Sequence, residues 1–339
     1  MKDSSNQYSP PLSAMQTAQM VHSWEDIGPR IYTVIQILHP WSRNRGMESV
    51  VNKFPKLWLR LGPVAPLRTL RLWVKILPFL AFLTACAPLT PPPPGEHIVS
   101  NIVYDKKPSG DLHLDLYLPA THRPYPLVIW IHGGGWSLGD KGWMLYLRKL
   151  TRQGFAIASI QYRLSGTAKY PAAIDDCRDA LHWLERNGAT YGLDTHHIFL
   201  SGASAGGHLA SLIAVEAGRP EVKAVCVLYP ATDLNGFPNQ GARHGYLPDF
   251  LGGTVIDKRA EAIEGSPVNH VHPNAPPFLI FHGDKDTLVP IAQSEELNDK
   301  LHAGGIESHL IVIHGKGHGF PLTDAQQHSA GDFFLRHMN

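Results

Sequence analysis

The sequence predicts an α/β fold, with a mainly parallel central sheet that is flanked by helices on both faces. The first observation is a series of short apolar runs, of which residues 126–131 (Pro-Leu-Val-Ile-Trp-Ile) are continuous, as in a strand buried on both faces. The second is that stretches with apolar residues three or four positions apart, such as 174–184, lie between these runs. Strands that alternate with helices indicate βαβ units and therefore a parallel sheet.

The individual elements follow in chain order from about residue 97. Leucines at every second position of 112–118 predict a strand with one buried face. Further strands are predicted at 126–131, 155–160, 197–200, 224–228, 277–281 and 308–313, and helices at 174–184, 209–217, 291–301 and 325–334. Residues 233–270 are rich in Gly, Pro and Asn, so we expect them to leave the sheet as an excursion, in the manner of a small lid.

The composition of the 339 residues narrows the range of functions. Hydrophobic residues make up 43% of the chain, which suffices for a large core, and the formal charge of +1 gives no basic surface of the kind that binds nucleic acid. Three cysteines (Cys86, Cys177, Cys226) exclude a disulfide scaffold, and we expect the last two to be buried free thiols. The histidines at 196–197 and 270–272 lack an accompanying cluster of carboxylates or cysteines, so we expect neither a metal nor a cofactor.

The strongest local signal lies at residues 202–206, which read Gly-Ala-Ser-Ala-Gly and match G-x-S-x-G. The motif stands between a predicted strand and a predicted helix, the context in which such a serine occupies a tight turn. Gly202 and Gly206 leave room for that turn, and Ser204 is pushed out at the C-terminal edge of the sheet. The helix that follows directs its first N–H groups to the place where an oxyanion would develop. Taken alone, this serine could also be read as a helix N-cap.

A second motif, His-Gly-Gly-Gly-Trp, directly follows the strand predicted at 126–131. Three consecutive glycines let the backbone approach a ligand and turn its N–H groups inward, as in the oxyanion motif of lipases and esterases. We assign the oxyanion donors to the N–H groups of Gly134, Gly135 and Ala205. The motif is supported by His132, Gly133 and Trp136. We expect His132 to organise the loop rather than to carry a proton, and the alternative to the whole motif is a plain flexible loop.

A serine nucleophile needs a base and a carboxylate that orients the base. The loop after one predicted strand contains Asp284 and Asp286, and the loop after the next contains His314 and His318. We choose Asp286 because it lies further along its loop, and we expect Asp284 to cap the turn. We choose His318 because it lies between two glycines beyond the strand end, whereas we expect His314 to be buried. The order Ser204, Asp286, His318 is the one that this architecture requires.

Together these motifs resemble those of α/β-hydrolases in the hormone-sensitive-lipase-like and feruloyl-esterase-like (BD-FAE) group of esterases. The resemblance covers residues 97–339, and further matching stretches lie at 161–164, 170–176, 229–233 and 266–267. It implies a serine carboxylesterase that hydrolyses short-chain acyl esters of small molecules through a Ser-Asp-His triad, and it implies structural roles for residues 162–163 and 175–176. The sequence departs from the group because it has no obvious large N-terminal helical cap after Cys86. An open, shallow acyl pocket would follow if residues 1–85 are removed.

Two other functions stay open on the sequence alone. The same triad would serve an amidase, such as an arylformamidase, or a peptidase of the same fold. A binding protein with a hydrolase fold is more remote, because such proteins lose part of the triad whereas this chain keeps all three members. Acetyl groups on a polysaccharide, feruloyl groups and xenobiotic esters all fit the motifs as substrates.

The first 95 residues differ from the rest of the chain. Between residues 53 and 75 there are six basic residues and no acidic one, an apolar run follows at 76–85, and Cys86 precedes a proline-rich stretch. A basic stretch, a short apolar stretch and a small residue have the form of a secretory signal. The apolar run is shorter than the roughly 20 residues that a membrane span needs. Residues 83–86, Leu-Thr-Ala-Cys, resemble a bacterial lipobox, in which the cysteine carries the lipid.

These features predict a division of the chain into four parts. We expect 1–46 to be an upstream extension that is disordered or not translated, 47–85 a signal-like segment, 86–96 a proline-rich tether and 97–339 the α/β-hydrolase catalytic domain. On this interpretation Cys86 anchors the protein by lipid in the bacterial cell envelope, in the periplasm or at the outer membrane. The alternative is that the front of the chain forms an amphipathic lid or a plain membrane anchor, or that the protein is cytoplasmic.

Overall fold

The computed structural model describes residues 95–121, 123–143, 146–216, 222–238 and 241–338. The predictions made for 1–46, for 47–85 and for most of the tether, Cys86 included, lie outside the described residues.

The centre of the described chain is a sheet of eight strands. The strands are β1 His97–Lys107, β2 Gly110–Leu118, β3 Tyr125–Ile131, β4 Ala156–Ile160, β5 Leu193–Ala203, β6 Val222–Leu228, β7 Phe278–Gly283 and β8 Ser308–Ile313. They lie in the order β1-β2-β4-β3-β5-β6-β7-β8. The pairs β1–β2 and β2–β4 are antiparallel and all the others are parallel, so the prediction of a mainly parallel sheet is confirmed.

Helices cover both faces of this sheet, as predicted. In the described residues the α-helices are α1 Ala172–Asn187, α2 Ala205–Ala214, α3 Tyr246–Leu251, α4 Arg259–Glu264, α5 Ala292–Ala303 and α6 Asp324–Arg336. Because side chains alternate along a strand, β3 directs Leu127 and Ile129 to the face that α1 and α2 cover, and Val128 and Trp130 to the face that α6 covers. The core therefore has two layers, one on each side of the sheet.

Strand β1 is not predicted from the sequence. It lies at the edge of the sheet, most of its side chains are exposed, and its pairing with β2 shifts register between Val99 and Ile102 and again between Val103 and Asp105. A bulged edge strand has no regular alternation of buried and exposed residues, so its sequence pattern carries little signal. Helix α2 begins at Ala205, four residues earlier than predicted, because it starts directly after the turn of Ser204.

The excursion at 233–270 leaves the sheet, as predicted, and its described part contains α3 and α4. The ring of Phe250 in α3 stacks on Trp136, with the ring centroids 4.6 Å apart. This contact holds α3 against the glycine loop that follows β3.

The two cysteines of the described domain are free and buried, as predicted, Cys177 in α1 and Cys226 in β6. Among the residues that the structure describes, we find no helix with both the length and the apolar character that a membrane crossing requires.

Candidate active site

Ser204 stands on the turn between β5 and α2, in a backbone conformation that side chains rarely adopt. Its φ is +55° and its ψ is −119°, and strain of this kind costs about 1–3 kcal/mol and persists only where the surroundings impose it. Here the N–H of Ser204 donates to the carbonyl oxygen of Leu228 at the end of β6, at 2.9 Å. The turn therefore holds the serine half-buried at the carboxyl end of the sheet.

The glycines on either side of Ser204 are required by close backbone approach. A Cβ on Gly202 would overlap the carbonyl oxygen of Gly206, and a Cβ on Gly206 would overlap the carbonyl oxygen of Ile131 at the end of β3. Any larger residue at either position would push β3 and the turn apart. The G-x-S-x-G spacing of the sequence is thus explained by the packing of the turn against the neighbouring strand.

The side chains of Ser204, His318 and Asp286 form one hydrogen-bonded line. The Oγ of Ser204 lies 2.8 Å from Nε2 of His318, and Nδ1 of His318 lies 2.6 Å from Oδ2 of Asp286. Because β5, β6, β7 and β8 are neighbours and parallel, the loops after β7 and β8 bring the acid and the histidine to the edge where β5 ends. The structure therefore brings together the three residues that the sequence predicts for a triad.

The environment of Asp286 favours its ionised form. Its Oδ1 accepts hydrogen bonds from the N–H groups of Leu288 and Val289, both at 2.9 Å, and its side chain has no solvent exposure. Burial raises the pKa of this carboxyl group, but hydrogen bonds from His282, His318 and Val289 outweigh burial and hold the pKa well below its ordinary value. At neutral pH the carboxylate is therefore negative, as needed to orient an imidazole.

His282, at the end of β7, is a site residue that the sequence analysis missed. Its Nε2 lies 2.9 Å from the carbonyl oxygen of Val289 and 3.4 Å from Oδ2 of Asp286, and its Nδ1 lies 2.6 Å from Oγ of Ser294. The ring is fully buried beneath the loop that carries the acid. The available signal was a histidine at the end of a strand whose other side chains are apolar, two residues before the first of two acids.

A second Asp–His pair lies beside the first. Oδ2 of Asp284 is 3.0 Å from Nδ1 of His314, and its Oδ1 accepts a hydrogen bond of 2.7 Å from the N–H of Gly315. The expectation that His314 is buried is wrong, because 86% of its side chain is exposed where the edge strand β8 runs out into solvent. Asp284 also does more than cap its own turn, since both of its oxygens reach across to the next loop.

The glycine loop after β3 lies against the turn of Ser204. A Cβ on Gly133 would be 3.5 Å from Cβ of Ser204, and Gly134 and Gly135 both have positive φ, of +115° and +59°. Among the described residues, none accepts a hydrogen bond from the backbone N–H of Gly134, Gly135 or Ala205. The N–H groups of Gly134, Gly135 and Ala205 thus belong to two adjacent segments, the glycine loop and the turn of Ser204.

Two side chains of this loop, His132 and Trp136, are held by ring stacking and hydrogen bonds. The ring of His132 stacks on Tyr162 at 4.3 Å and its Nδ1 lies 2.8 Å from the carbonyl oxygen of Gly133. Burial lowers the pKa of His132 to about 4, so the ring is neutral at neutral pH. Trp136 donates from Nε1 to Nδ1 of His208 at 3.1 Å.

Two further residues around the site were not singled out in the sequence. His208, on the buried face of α2, places its Nε2 2.7 Å from the carbonyl oxygen of Gly265, which links the glycine loop to the excursion. Tyr229 follows β6 with a φ of +38°, and its ring packs on His318 with the centroids 4.7 Å apart. In the described part of the chain, no group of three or more His, Cys, Asp or Glu side chains is arranged to hold a metal ion.

Comparisons with known proteins relate the chain to esterases. A model of the BD-FAE family matches residues 114–301. The chain is 31% identical over 241 residues to Esterase LipC of Mycobacterium tuberculosis, a match that covers 66% of this chain and 60% of the relative. It is 33% identical over 223 residues to Esterase LipQ of the same organism, covering 60% of this chain and 52% of the relative. The chain thus spans about half to three-fifths of the length of these curated relatives.

Solved structures resemble the described domain over nearly their whole length. A truncated carbohydrate esterase from gut microbiota superposes with a TM-score of 0.66 at 27% identity, covering 71% of this chain and 96% of that chain. Esterase 2 of Thermogutta terrifontis with bound propionate gives a TM-score of 0.56 at 26% identity, covering 73% and 97%. The same esterase with bound butyrate gives 0.57 at 26% identity, covering 74% and 97%.

Proposed function

The chain belongs to the BD-FAE family and has the α/β-hydrolase fold, and on this premise we propose that it is a serine carboxylesterase. The observation that carries the proposal is the unbroken hydrogen-bonded line from Oγ of Ser204 through His318 to Asp286. A serine hydroxyl is a weak nucleophile unless a base removes its proton, and an imidazole is held in the required tautomer by a carboxylate on its far nitrogen.

In the first step, Oγ of Ser204 attacks the ester carbonyl and its proton passes to Nε2 of His318. Asp286 accepts the hydrogen bond from Nδ1 and stabilises the imidazolium that forms, because its carboxylate stays ionised. The half-buried position of the serine lets the carbonyl carbon approach from solvent.

The carbonyl oxygen becomes an oxyanion in the tetrahedral intermediate, and we assign its stabilisation to the N–H groups of Gly134, Gly135 and Ala205. Support for this assignment comes from the positive φ angles of the two glycines and from the position of Ala205 at the start of α2. His318 then gives its proton to the leaving alcohol, and the acyl group remains on Ser204. A water molecule repeats the sequence and releases the acid.

For the acyl group we propose a short chain. The esterase of Thermogutta terrifontis, which has the same fold, carries propionate in one structure and butyrate in another, and both are short acyl groups. The active serine at the edge of the sheet is consistent with acyl groups that need no deep tunnel.

The proposal is tested by hydrolysis of 4-nitrophenyl acetate, butyrate and decanoate by the purified chain and by Ser204→Ala. We expect the wild type to prefer the acetate or butyrate and the variant to lose roughly 10⁶-fold in rate while keeping its fold. The matched control is Ser329→Ala, an exposed serine of α6, which should change nothing. Activity retained in Ser204→Ala would refute the proposal. Faster cleavage of acyl amides than of the matching esters would favour the amidase alternative.

We also propose that the protein is lipid-anchored at Cys86 in a bacterial cell envelope. Support comes from the basic stretch before the apolar run, from the lipobox-like Leu-Thr-Ala-Cys, and from a proline-rich tether that would hold the domain away from the membrane. One acyl chain anchors weakly, whereas several chains on one residue anchor firmly.

Mass spectrometry of the mature N-terminus from the native host tests this location. We expect a lipid-modified N-terminal Cys86, and we expect Cys86→Ser to stay unprocessed while its domain still hydrolyses esters. An unmodified N-terminus at Met1 or Met47 in the cytosolic fraction would contradict the proposal.

A further inference from the structure

Strand β6 ends between the three segments that carry the triad. The carbonyl oxygen of Leu228, its last residue, accepts a hydrogen bond of 2.9 Å from the N–H of Ser204. The N–H of the next residue, Tyr229, donates to the carbonyl oxygen of Phe281 at 2.7 Å, in the strand that precedes the loop of the acid. The ring of Tyr229 packs on His318. Two consecutive residues thus contact the turn of the nucleophile, the strand before the acid and the base itself.

The backbone of Tyr229 is strained. Its φ is +38°, which a bulky residue rarely adopts, and such strain persists only where the surrounding contacts impose it. Those contacts include the hydrogen bond to Phe281 and the burial of the ring, which has no solvent exposure. The centroid of the ring lies 4.7 Å from that of His318 and 5.1 Å from that of Phe320. The strained residue therefore places a rigid, buried ring against the loop of the base.

The loop that carries His318 is rich in glycine. Residues 315–320 read Gly-Lys-Gly-His-Gly-Phe, and the φ angles of Gly315 and Gly319 are +75° and +82°. Glycine restricts the backbone less than any other residue, so the sequence of this loop does not by itself fix the direction of the imidazole. Contacts from neighbouring segments must do so.

The ring of Tyr229 is better suited to this task than the tyrosine hydroxyls. The hydroxyl of Tyr229 donates to the carbonyl oxygen of Phe320 at 3.4 Å, and that of Tyr146 donates to the carbonyl oxygen of Gly319 at 3.3 Å. Both bonds are longer than the roughly 2.8 Å that O–H donors prefer, so they hold the loop weakly. Burial raises the pKa of Tyr229 well above its ordinary value, so its hydroxyl stays neutral and does not compete with His318 for a proton.

We propose that Tyr229 is a positioning residue whose buried ring sets the orientation of the His318 imidazole between Ser204 and Asp286. The inference rests on the proposed esterase function and deepens it, because it names a residue that acts through the general base. Proton transfer from Oγ to Nε2 requires the imidazole to point at the serine, and a displacement of about 1 Å can cost about 100-fold in rate. The ring acts on the base and not on the ester, so its loss should change kcat and leave KM unchanged.

The test replaces Tyr229 by three residues and measures kcat and KM for 4-nitrophenyl acetate. Tyr229→Phe keeps the ring, so we expect kcat within about threefold of wild type. Tyr229→Leu keeps an apolar side chain without a ring, and Tyr229→Gly also relieves the strained φ. For both we expect kcat to fall roughly 10- to 100-fold, with KM within about twofold of wild type. The endpoint of fluorophosphonate labelling counts the reactive sites, and it should equal that of wild type in all three variants.

Phe155→Leu is the matched control. Phe155 is a fully buried ring in the same core layer, and it packs on Phe199 and Phe334. This variant should lower the melting temperature while kcat stays within about twofold of wild type.

Four results would overturn the proposal. They are a wild-type kcat in Tyr229→Leu, equal losses of kcat in Tyr229→Leu and Phe155→Leu, a loss in Tyr229→Phe as large as that in Tyr229→Leu, and a kcat that Tyr229→Gly restores. The third would assign the effect to the hydroxyl, and the fourth would assign it to the strained backbone. Failure of the esterase function itself is recognised separately, since Ser204→Ala would then keep the activity of the wild type.

Discussion

Two Asp–His pairs lie side by side at the same edge of the sheet, and of these two only one contacts Ser204. Asp286 and His318 are 10% exposed or less in their side chains and connect to Ser204. Asp284 and His314 have a similar separation between carboxylate and ring, but their side chains are 27% and 86% exposed. The chemistry of the residue types is the same in both pairs, so their surroundings decide what each can do.

Burial gives the inner pair its strength. An ion pair or hydrogen bond in solvent is worth little, because water screens the charges and competes for the polar atoms. The inner carboxylate accepts hydrogen bonds from two backbone N–H groups in addition to the imidazole, and the buried ring of His282 lies 3.4 Å from its Oδ2. The inner imidazole is also packed by Tyr229, whereas the outer imidazole projects into solvent.

The outer pair connects the loop after β7 to the loop after β8. Asp284 joins His314 and Gly315, and the N–H of Lys285 donates to the carbonyl oxygen of Lys316 at 2.9 Å. These contacts tie the loop of the acid to the loop of the base. We therefore expect the outer pair to help keep the inner pair in register without taking part in proton transfer.

The largest expected difference in kcat is between the variants of the two histidines, His318 and His314. We expect His318→Ala to lose about 10⁶-fold in kcat, because the serine then lacks its base. His314→Ala removes one solvent-exposed hydrogen bond, so kcat should stay within about twofold of wild type. Steady-state hydrolysis of 4-nitrophenyl acetate measures both. Similar losses in the two variants would mean that the outer pair shares the chemistry.

The difference in rate between variants of Asp286 and Asp284 should be smaller, and the inner residue should again show the larger loss. Asp286→Asn is expected to lose about 10⁴-fold, since an amide favours the wrong imidazole tautomer. Asp284→Asn keeps the size of the side chain and can still accept from the N–H of Gly315, so we expect less than about a tenfold loss. A reversed ranking of the two variants would assign the catalytic carboxylate to Asp284.

The smallest expected effect is on the pH dependence of the free energy of unfolding. The folded pKa of Asp286 lies below its unfolded value, so its ionised form stabilises the fold at neutral pH, and this stabilisation declines progressively as the pH falls from about 4 towards the folded pKa. In urea unfolding, the deficit of Asp286→Asn relative to wild type should therefore be larger at neutral pH than at about pH 3.5. The pKa of Asp284 is also lowered, chiefly by its hydrogen bond with His314, but solvent screens that group. Asp284→Asn should show the same trend more weakly, and a deficit of Asp286→Asn that grows on acidification would contradict the assignment.

The sequence predicted most of the sheet and the turns at its carboxyl edge, because both depend on local patterns of residues. Buried parallel strands such as β3 are continuous apolar runs, and G-x-S-x-G and His-Gly-Gly-Gly mark turns that only glycine can make. Ser204, Asp286 and His318 each follow a predicted parallel strand, so the sequence also predicted that their three loops lie at one edge of the sheet. The geometry that joins them was not visible in the sequence, but the order limited it to few possibilities.

The remaining features depend on contacts between distant segments. The exposure of His314 follows from β8 lying at the edge of the sheet, a fact of strand order and not of local sequence. The role of His208 depends on the carbonyl oxygen of Gly265, 57 positions along the chain, and the role of His282 depends on how the loop after its own strand folds back to place Val289 over the ring.

We propose that Ser204 is activated by the inner Asp–His pair and not by the outer one. The most direct test is the rate at which a fluorophosphonate modifies the protein, with the modified peptide located by mass spectrometry, in wild type, Asp284→Asn and Asp286→Asn. We predict that the label lies on Ser204, that Asp284→Asn reacts nearly as fast as wild type, and that Asp286→Asn reacts slower by orders of magnitude. A label on another residue, or a reaction slowed more by Asp284→Asn than by Asp286→Asn, would contradict the claim.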